Sequence, residues 1–334
     1  MASYGDLTNI FVPDVQNGYV DEFSTTKSAL WQSGIVQTNA KLSSDLTTLH
    51  GNIFTTPFNK PIEDEVAKDA DTSDTAITLR ELTTGTQTSV RQYKADGWDE
   101  RDLAVQLSGN DASAAVARKL GLYWRNNYQK QLLSAIKGVI LDNANDGGDL
   151  VNDVYTDITT PLETAKINNI SINDAAGTMG DAWQDLGAIA MHSSSRKKLK
   201  NDEPNAFVPA SETNIGFATY NGLIIIEDDG LVTTAGTNSP EYETLLFGMG
   251  AFQFGDAGDV VKQEVHRQPL TGNGGGGTAL LTRRSFIMHP TGFDCSATNV
   301  KVPVTTARLE VAAAWDRIVT SRKQIKFAML KHNV

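Results

Sequence analysis

The chain has 334 residues, of which 40% are hydrophobic and 21% are charged; this is enough apolar material for a packed core and roughly two domains. Its formal net charge of −11 would repel phosphate backbones, which disfavours tight, direct binding to nucleic acid. The longest aliphatic run, residues 223–226, is too short to span a bilayer, and no signal-peptide pattern opens the chain, so neither a membrane protein nor a secreted one is expected.

The first hundred residues are rich in Thr, Ser, Asp and Asn and show no sustained 3.6-residue apolar period. Such a stretch is either disordered or an extended arm that is completed by contact with a partner. Anchors such as Phe11, Trp31, Phe54 and Phe58 argue against a disordered composition. An extended arm is therefore the favoured interpretation.

A long β-hairpin is predicted over residues 76–93, because apolar residues alternate around a glycine. Ile77, Leu79 and Leu82 precede Gly85, and Val90 and Tyr93 follow it. The pattern places the turn at Gly85.

The strongest helix signal follows, with Asn110 or Asp111 as the N-cap and Gly147-Gly148 as the stop. Apolar residues recur at helical spacing at Val116, Leu120, Trp124, Tyr128, Leu132, Ile136 and Ile140. The predicted helix is roughly 45 Å long, enough for the strut of a subunit. Its other face is basic and is interpreted as a solvated face; it carries Arg118, Lys119, Arg125, Lys130 and Lys137.

Short strands alternate with short helices from about residue 151 onward, so the predicted class is α+β. A helix capped by Ser193 or Ser194 is expected, and a last helix from Thr305 or Thr306 through Trp315. Strands are predicted at Leu186–Met191, Leu223–Ile226, Thr244–Phe247, Val260–Val265, Ala279–Met288 and Ile325–Leu330.

Two kinds of loop suggest ligand binding but do not complete a motif. The glycine-rich run 271–278 has no Gly-Lys-Ser/Thr leading into a helix, so a hairpin tip is preferred over a phosphate loop. Partial calcium-loop spacing occurs at residues 69–80 and 142–153, but the former lacks the required glycine and glutamate and the latter has Ala144 at a ligand position. Solvated turns are expected at both.

No nucleophile, metal set or acid–base pair emerges from the remaining reactive residues. The five histidines, at positions 50, 192, 266, 289 and 332, have no spacing that completes a zinc set. Ser193 to Ser195 lack the G-x-S-x-G elbow, and the single cysteine, Cys295, is interpreted as a packing residue in a reducing compartment. No catalytic, cofactor or metal site is predicted, and an enzyme is not expected.

Several segments, in order along the chain, resemble the major capsid proteins of tailed bacteriophages. Residues 83–111 (TTGTQTSVRQYKADGWDERDLAVQLSGND) and the long helix resemble that family's passage from extended loop to spine helix. The match continues through AIAMHS at 188–193, TYNGLIIIEDDG at 219–230, LLFGMGAF at 245–252, HPTGF at 289–293 and AAAWDRI at 312–318. The acidic stretch from Glu63 to Asp74 is atypical of the family.

The resemblance implies the tailed-phage major capsid fold, with an N-terminal arm at 1–55 and an extended loop at 56–95. It also implies a peripheral domain at 96–150 and 260–290, built on the spine helix, and an axial domain at 151–259 and 291–334. The implied function is a shell protein that assembles with itself as hexamers and pentamers into an icosahedral head around double-stranded DNA, without sequence-specific binding, in the host bacterial cytoplasm. Scaffolding, portal and decoration proteins are candidate further partners.

The predicted assembly anchors are Trp31, Phe54 and Phe58 in the arm region and Tyr93 and Trp98 at the loop base. Packing within the subunit is the alternative for each, and for Trp98 it carries equal weight. Some relatives crosslink subunits through a lysine, for which Lys60, Lys68 and Lys94 are candidates here. No motif selects one of these lysines, so no crosslinking is expected.

Three alternatives to a viral shell remain open at this point. A cellular encapsulin-like compartment would share the fold but enclose cargo enzymes. A metal-dependent hydrolase or nucleotide-binding enzyme has only the weak acidic and glycine-rich motifs in its favour. A tail or fibre component should show sequence repeats, and none is seen.

Overall fold

The computed structural model describes residues 34–48, 51–60, 83–102, 112–209, 218–229, 231, 233–257, 261–319 and 321–334, with residues 112–118 and 233 described by their backbone only. Several sequence predictions lie outside the described residues; they concern Phe11, Trp31, His50, Lys68, Asp69, Asp71, Asp74, Ile77, Leu79, Leu82, Asn110 and Asp111.

Helices and strands mix along the described chain, as the α+β class requires. The helices are α1 Ala40–Thr48, α2 Ala112–Asn143, α3 Asn169–Gly177, α4 Ser193–Asp202, α5 Ala297–Val300 and α6 Thr306–Leu309. The strands are β1 Val36–Thr38, β2 Ile53–Asn59, β3 Thr84–Val90, β4 Gln92–Arg101, β5 Val151–Asp153, β6 Leu186–Met191, β7 Phe207–Val208, β8 Thr219–Tyr220, β9 Leu223–Glu227, β10 Thr233–Thr234, β11 Glu241–Gly248, β12 Phe252–Asp256, β13 Gln263–Gln268, β14 Gly277–Pro290, β15 Phe293–Cys295, β16 Trp315–Arg317 and β17 Phe327–His332.

The larger sheet runs in the order β5-β17-β11-β6-β9-β8-β7, with β10 added to β11. Its central strands are aliphatic and buried on both faces, as expected for strands that read as continuous apolar runs. The predicted strands at Leu186–Met191 and Leu223–Ile226 are confirmed. The predicted strand at Thr244–Phe247 lies within β11, and the one at Ile325–Leu330 overlaps β17.

The second sheet has the order β1-β12-β14-β13, and β4 pairs with the 14-residue strand β14 on its other side. Strand β14 confirms the prediction at Ala279–Met288, and β13 starts three residues later than predicted. The glycine-rich run closes the β13–β14 hairpin, where the Gly276 amide donates to the Thr271 carbonyl at 3.0 Å. The predicted hairpin tip is confirmed.

Helix α2 is the predicted spine helix, and its 32 residues extend about 48 Å. Leu132, Ile136 and Val139 enter the main core, which also contains residues of both sheets. The helix ends at Asn143, and Gly147 and Gly148 follow in left-handed conformations with φ of +94° and +70°, so the predicted stop is confirmed. No described helix, α2 included, is long and apolar enough to cross a membrane.

The predicted turn at Gly85 is wrong, because Gly85 lies inside β3. Strand β3 pairs with β2, and Gly85 is directly opposite Phe58. A Cβ atom at Gly85 would approach the Phe58 ring to 2.6 Å, so this glycine makes room for an aromatic ring rather than for a turn.

Two helix boundaries also differ from prediction. His192, not Ser193 or Ser194, is the N-cap of α4, and its Nδ1 accepts from the Ser194 amide at 3.1 Å. The last helix ends at Leu309, and Trp315 lies in β16 opposite Cys295. Ala312–Ala314 still form a short 3₁₀ helix, and pairing with β15 places Trp315 in a strand instead of in the predicted helix.

Candidate assembly surface

The hairpin formed by β2 and β3 is a two-stranded ladder whose inner half packs against other described parts of the subunit. Its inner end is buried at Phe54, Ser89 and Val90, whereas alternate residues toward Asn59 and Thr84 are exposed. The Lys60 amide extends the ladder by donating to the Thr83 carbonyl at 2.9 Å. A two-stranded ribbon in water is marginal by itself, so contact with a neighbour would stabilise its outer half.

A carboxylate and a backbone carbonyl from a distant part of the chain hold the hairpin near its middle. The Thr88 amide donates to Asp294 Oδ1 at 2.5 Å, and Gln87 Nε2 donates to the Pro290 carbonyl at 3.1 Å. Burial raises the pKa of Asp294, and the Thr88 hydrogen bond opposes this shift. The two bonds set the direction in which the hairpin leaves the subunit.

The start of β4 carries a second set of contacts. Arg91 Nε donates to Ser285 Oγ, and Lys94 Nζ donates to the Val304 carbonyl at 2.7 Å. Burial lowers the pKa of Lys94. Lys94 is therefore held by its own subunit, while Lys60, the other described lysine considered for crosslinking, is exposed beyond the end of β2.

Phe54 is buried by its own chain. Its side chain is 4% exposed and belongs to a cluster with Leu42, Leu46, Ala257 and Ile287. The inner half of β2 lies on α1, so packing within the subunit accounts for Phe54 and leaves little surface for a neighbour.

The other predicted anchors differ in what they offer to a partner. Phe58 is half-buried across from Gly85, and Tyr93 is 45% exposed, with the Arg91 guanidinium 4.7 Å from its ring centroid. Trp98 is half-buried and meets Tyr123 edge-on at a centroid distance of 5.1 Å. Phe58 and Tyr93 thus retain surface for contact, whereas Trp98 mainly packs internally.

Sequence reasoning missed a group of exposed large apolar residues. Leu162 is 68% exposed, Ile170 72%, Met249 69% and Leu270 89%. Leu270 lies beside the glycine-rich hairpin tip. A large apolar residue next to a predicted turn is the sequence feature that could have identified it as exposed.

Within the described residues, no group of three or more His, Cys, Asp and Glu side chains could hold a metal ion. At the second predicted calcium-like turn, burial raises the pKa of Asp142 to about 6, with Asp146 and Asp316 adding to the shift. Burial also raises the pKa of the Cys295 thiol to about 12, which suits a packing residue.

Two histidines are buried and neutral. Burial lowers the pKa of His289 and of His332 to about 4 in each case. His289 Nε2 contacts the Phe293 carbonyl at 2.7 Å, and His332 Nε2 contacts Thr244 Oγ1 at 2.8 Å. Both therefore have structural partners within the subunit.

His289 should make the subunit acid-sensitive. Because its pKa is 6.5 unperturbed and about 4 when folded, the unfolded chain takes up a proton first, and stability falls as pH drops from about 6.5 toward 4. The variant His289→Gln removes this titration and keeps an N–H donor. Between pH 7 and pH 5 it should lose about 2 kcal/mol less unfolding free energy than the native chain, as measured by denaturant titration. Equal losses would contradict the assignment.

Loss of the Asp294 carboxylate should loosen the hairpin. The variant Asp294→Ala should lower the unfolding free energy by about 1–2 kcal/mol, because the Thr88 amide loses its acceptor, and should speed hydrogen exchange at Thr88. Asp294→Asn keeps an acceptor oxygen and should restore slow exchange. Asp316→Ala, which removes the carboxylate paired with Asp294 across β15 and β16, is the matched control and should leave exchange at Thr88 unchanged.

A long helix on a sheet with a 14-residue strand, a projecting hairpin and a second sheet define the major capsid fold of tailed phages. The chain is similar to the capsid of Ralstonia phage GP4, with TM-score 0.62 and 9% identity over 93% of this chain and 90% of that one. It is also similar to the cyanophage Pam1 capsid, with TM-score 0.58 and 12% identity over 90% and 89% of the two chains. The predicted fold class is confirmed.

The chain belongs to the Gp13-like family, described as major capsid protein 13-like, whose sequence model matches residues 37–326. It is 27% identical over 339 aligned residues to the major capsid protein of Bacillus phage SPP1. The alignment covers 99% of each chain. It is thus a structural protein of the phage shell, as the resemblance implied, and an encapsulin-like compartment is not favoured.

Proposed function

We propose that copies of this chain assemble as hexamers and pentamers into an icosahedral head that encloses double-stranded DNA without reading its sequence. The observation that carries the proposal is the β2–β3 hairpin, which is hydrogen-bonded to the subunit through Thr88 and Gln87, near the middle of the ladder, and has exposed residues beyond them. Such a ribbon gains stability when it lies on a neighbouring subunit. Head-to-tail contacts of this kind close into rings when the rotation between subunits allows it.

The proposal includes the division of the chain implied by the resemblance. Residues 1–55 would form the arm, 56–95 the extended loop, 96–150 with 260–290 the peripheral domain, and 151–259 with 291–334 the axial domain. Strand β1 and helix α1, within the proposed arm, pack on the sheet that contains β12. These two elements of the proposed arm therefore contact their own subunit and not a neighbour.

The proposed subunit acts by binding rather than by catalysis, and it assembles in the cytoplasm of the host bacterium. Tyr93 and Phe58 remain the proposed anchors among the described residues, with Trp31 as a further one. Weak single contacts let misplaced subunits leave, and closure of the lattice makes the shell far tighter than any one contact. Scaffolding, portal and decoration proteins are proposed as further partners.

Electron microscopy of the purified, concentrated protein tests this function. Uniform hollow spheres with five-fold and six-fold clusters of subunits are expected. A protein that stays a monodisperse monomer at high concentration, with or without phage scaffolding factors, would sink the proposal. Particles from infected cells should contain DNA; cargo enzyme inside them would favour a cellular compartment instead.

A further inference from the structure

The chain has three Asn-Gly pairs, at residues 17–18, 221–222 and 273–274. In such a pair the backbone nitrogen of the glycine can attack the asparagine side chain, because glycine has no Cβ atom to obstruct the approach. The structure describes the second and third pairs, and the first lies outside the described residues. The two described pairs can therefore be compared directly.

Both described pairs form the tip of a β-hairpin, 221–222 between β8 and β9 and 273–274 between β13 and β14. Asn221 and Gly222 have φ of +47° and +85°. Asn273 and Gly274 have φ of +57° and +89°. Positive φ at both central residues is typical of a type I′ turn, and all four residues are exposed. Turn type and exposure therefore do not distinguish the two pairs.

The turn at Asn221 is held by several contacts. Asn221 Nδ2 donates to Asn169 Oδ1 at 2.9 Å, and its backbone amide donates to the Ala206 carbonyl at 3.2 Å. The residues on either side of the pair, Tyr220 and Leu223, face each other across β8 and β9, and Tyr220 is fully buried. Asn221 cannot rotate into a reactive conformation unless these contacts break.

The turn at Asn273 is held much less firmly. Residues 272–275 are four consecutive exposed positions, and the two backbone hydrogen bonds that close the turn, of 3.2 Å and 3.0 Å, are both donated by glycines. Within the part of the chain that the structure describes, neither the Asn273 side chain nor the Gly274 amide has a hydrogen-bond partner. A turn flanked by glycines and exposed to water opens at small cost.

We propose that Asn273 is a site of spontaneous deamidation. The Gly274 nitrogen loses its proton to hydroxide and attacks Cγ of Asn273. A C–N bond forms, and the side-chain nitrogen takes up a proton from water and leaves as ammonia. The product is a succinimide ring, which water opens at either carbonyl to give aspartate or isoaspartate. The sum of these steps replaces NH₂ by OH, without oxidation or reduction.

The modification changes both the charge and the backbone of the hairpin tip. Each modified copy gains one negative charge, on a chain whose formal net charge is already −11. A Cβ atom at the adjacent Gly272 would lie 3.6 Å from Arg101 Nη1, so a cation lies close to the turn in which the new carboxylate forms. Isoaspartate also adds a carbon atom to the backbone of the turn. This chemistry does not depend on the proposed shell function.

Peptide mass spectrometry of the full chain, after incubation in warm, mildly alkaline buffer, tests the proposal. Trypsin separates the pairs, because residues 201–262 contain Asn221 and residues 268–283 contain Asn273. In the folded chain Asn273 should be converted about ten-fold faster than Asn221, with isoaspartate among the products, and the rate should rise with hydroxide concentration. An Asn273 that stays intact, or equal conversion at the two positions, would overturn the proposal.

The unfolded chain is the matched control. In denaturant both pairs lose their turns, so Asn221 and Asn273 should be converted at similar rates. A difference that persists would place its cause in the local sequence and would overturn the structural argument.

The variant Asn273→Gln tests the chemistry of the step. Its longer side chain would have to close a larger ring, so the glutamine should stay unmodified while Asn273 of the native chain is converted. Equal conversion of the glutamine, or aspartate as the sole product at Asn273, would show direct hydrolysis by water. Either result would overturn the proposed attack by Gly274.

Discussion

The variant Gly138→Ala is expected to lower the unfolding free energy of the subunit by about 3 kcal/mol, although alanine is the better helix former by about 1 kcal/mol. Gly138 lies in the C-terminal part of α2, where α6 and β16 pack against the helix. A Cβ atom there would collide with the Leu309 carbonyl and approach Trp315 Nε1 to 2.5 Å. That nitrogen donates to the same carbonyl at 2.8 Å, so the methyl group would break a buried hydrogen bond.

Gly177→Ala is the matched control for this prediction. Gly177 is the last residue of α3, and a Cβ atom there would meet nothing within 4 Å. The control should be neutral or slightly stabilising, because only the unfolded chain loses freedom. Denaturant unfolding of both variants measures the contrast, and a Gly138→Ala subunit as stable as the native one would show that α6 can move aside without cost.

Elements with a clear apolar period could be predicted from the sequence, because burial of one face determines them. The spine helix and the strands at Leu186–Met191 and Leu223–Ile226 are of this kind. The error at Gly85 has a different cause, since a glycine in a strand and a glycine in a turn look alike until the facing residue, here Phe58, is known. The prediction of a helix at Trp315 failed for the same reason. The strand partner of Trp315 is Cys295, which is too distant in the sequence for a local pattern to indicate the pairing.

The candidate surface was predictable in outline but not in its contacts. The resemblance implied an extended loop at 56–95, and the described residues there include β3 and most of β2, which pair as a two-stranded ladder. The hydrogen bond between Thr88 and Asp294 joins residues 206 positions apart, and no local pattern marks it. Phe54 shows the same limit of sequence-based prediction. A phenylalanine is equally compatible with an interface anchor and with a core residue, and here it is in the core.

Arg322→Ala is expected to cost about 3 kcal/mol of unfolding free energy, because its guanidinium joins three parts of the subunit. Nε donates to the Asp149 carbonyl at 3.0 Å, Nη1 to the Ile325 carbonyl at 2.7 Å, and Nη2 to Thr178 Oγ1 at 3.0 Å and to the Phe327 carbonyl at 2.8 Å. Burial lowers the pKa of Arg322 to about 10, which still leaves the group charged at neutral pH.

The neighbouring residue provides the control for Arg322. Lys323 forms an exposed ion pair with Asp181 at 2.7 Å, and exposed pairs contribute little, so Lys323→Ala should leave the unfolding midpoint unchanged. Arg322→Lys keeps the charge but cannot reach all four acceptors, and its stability should fall between alanine and the native residue. If alanine and lysine were equally harmless at position 322, the network would not hold the turn at Asp149, which follows the spine helix, to the larger sheet. The rigidity of the subunit beneath the hairpin would then have to come from apolar packing alone.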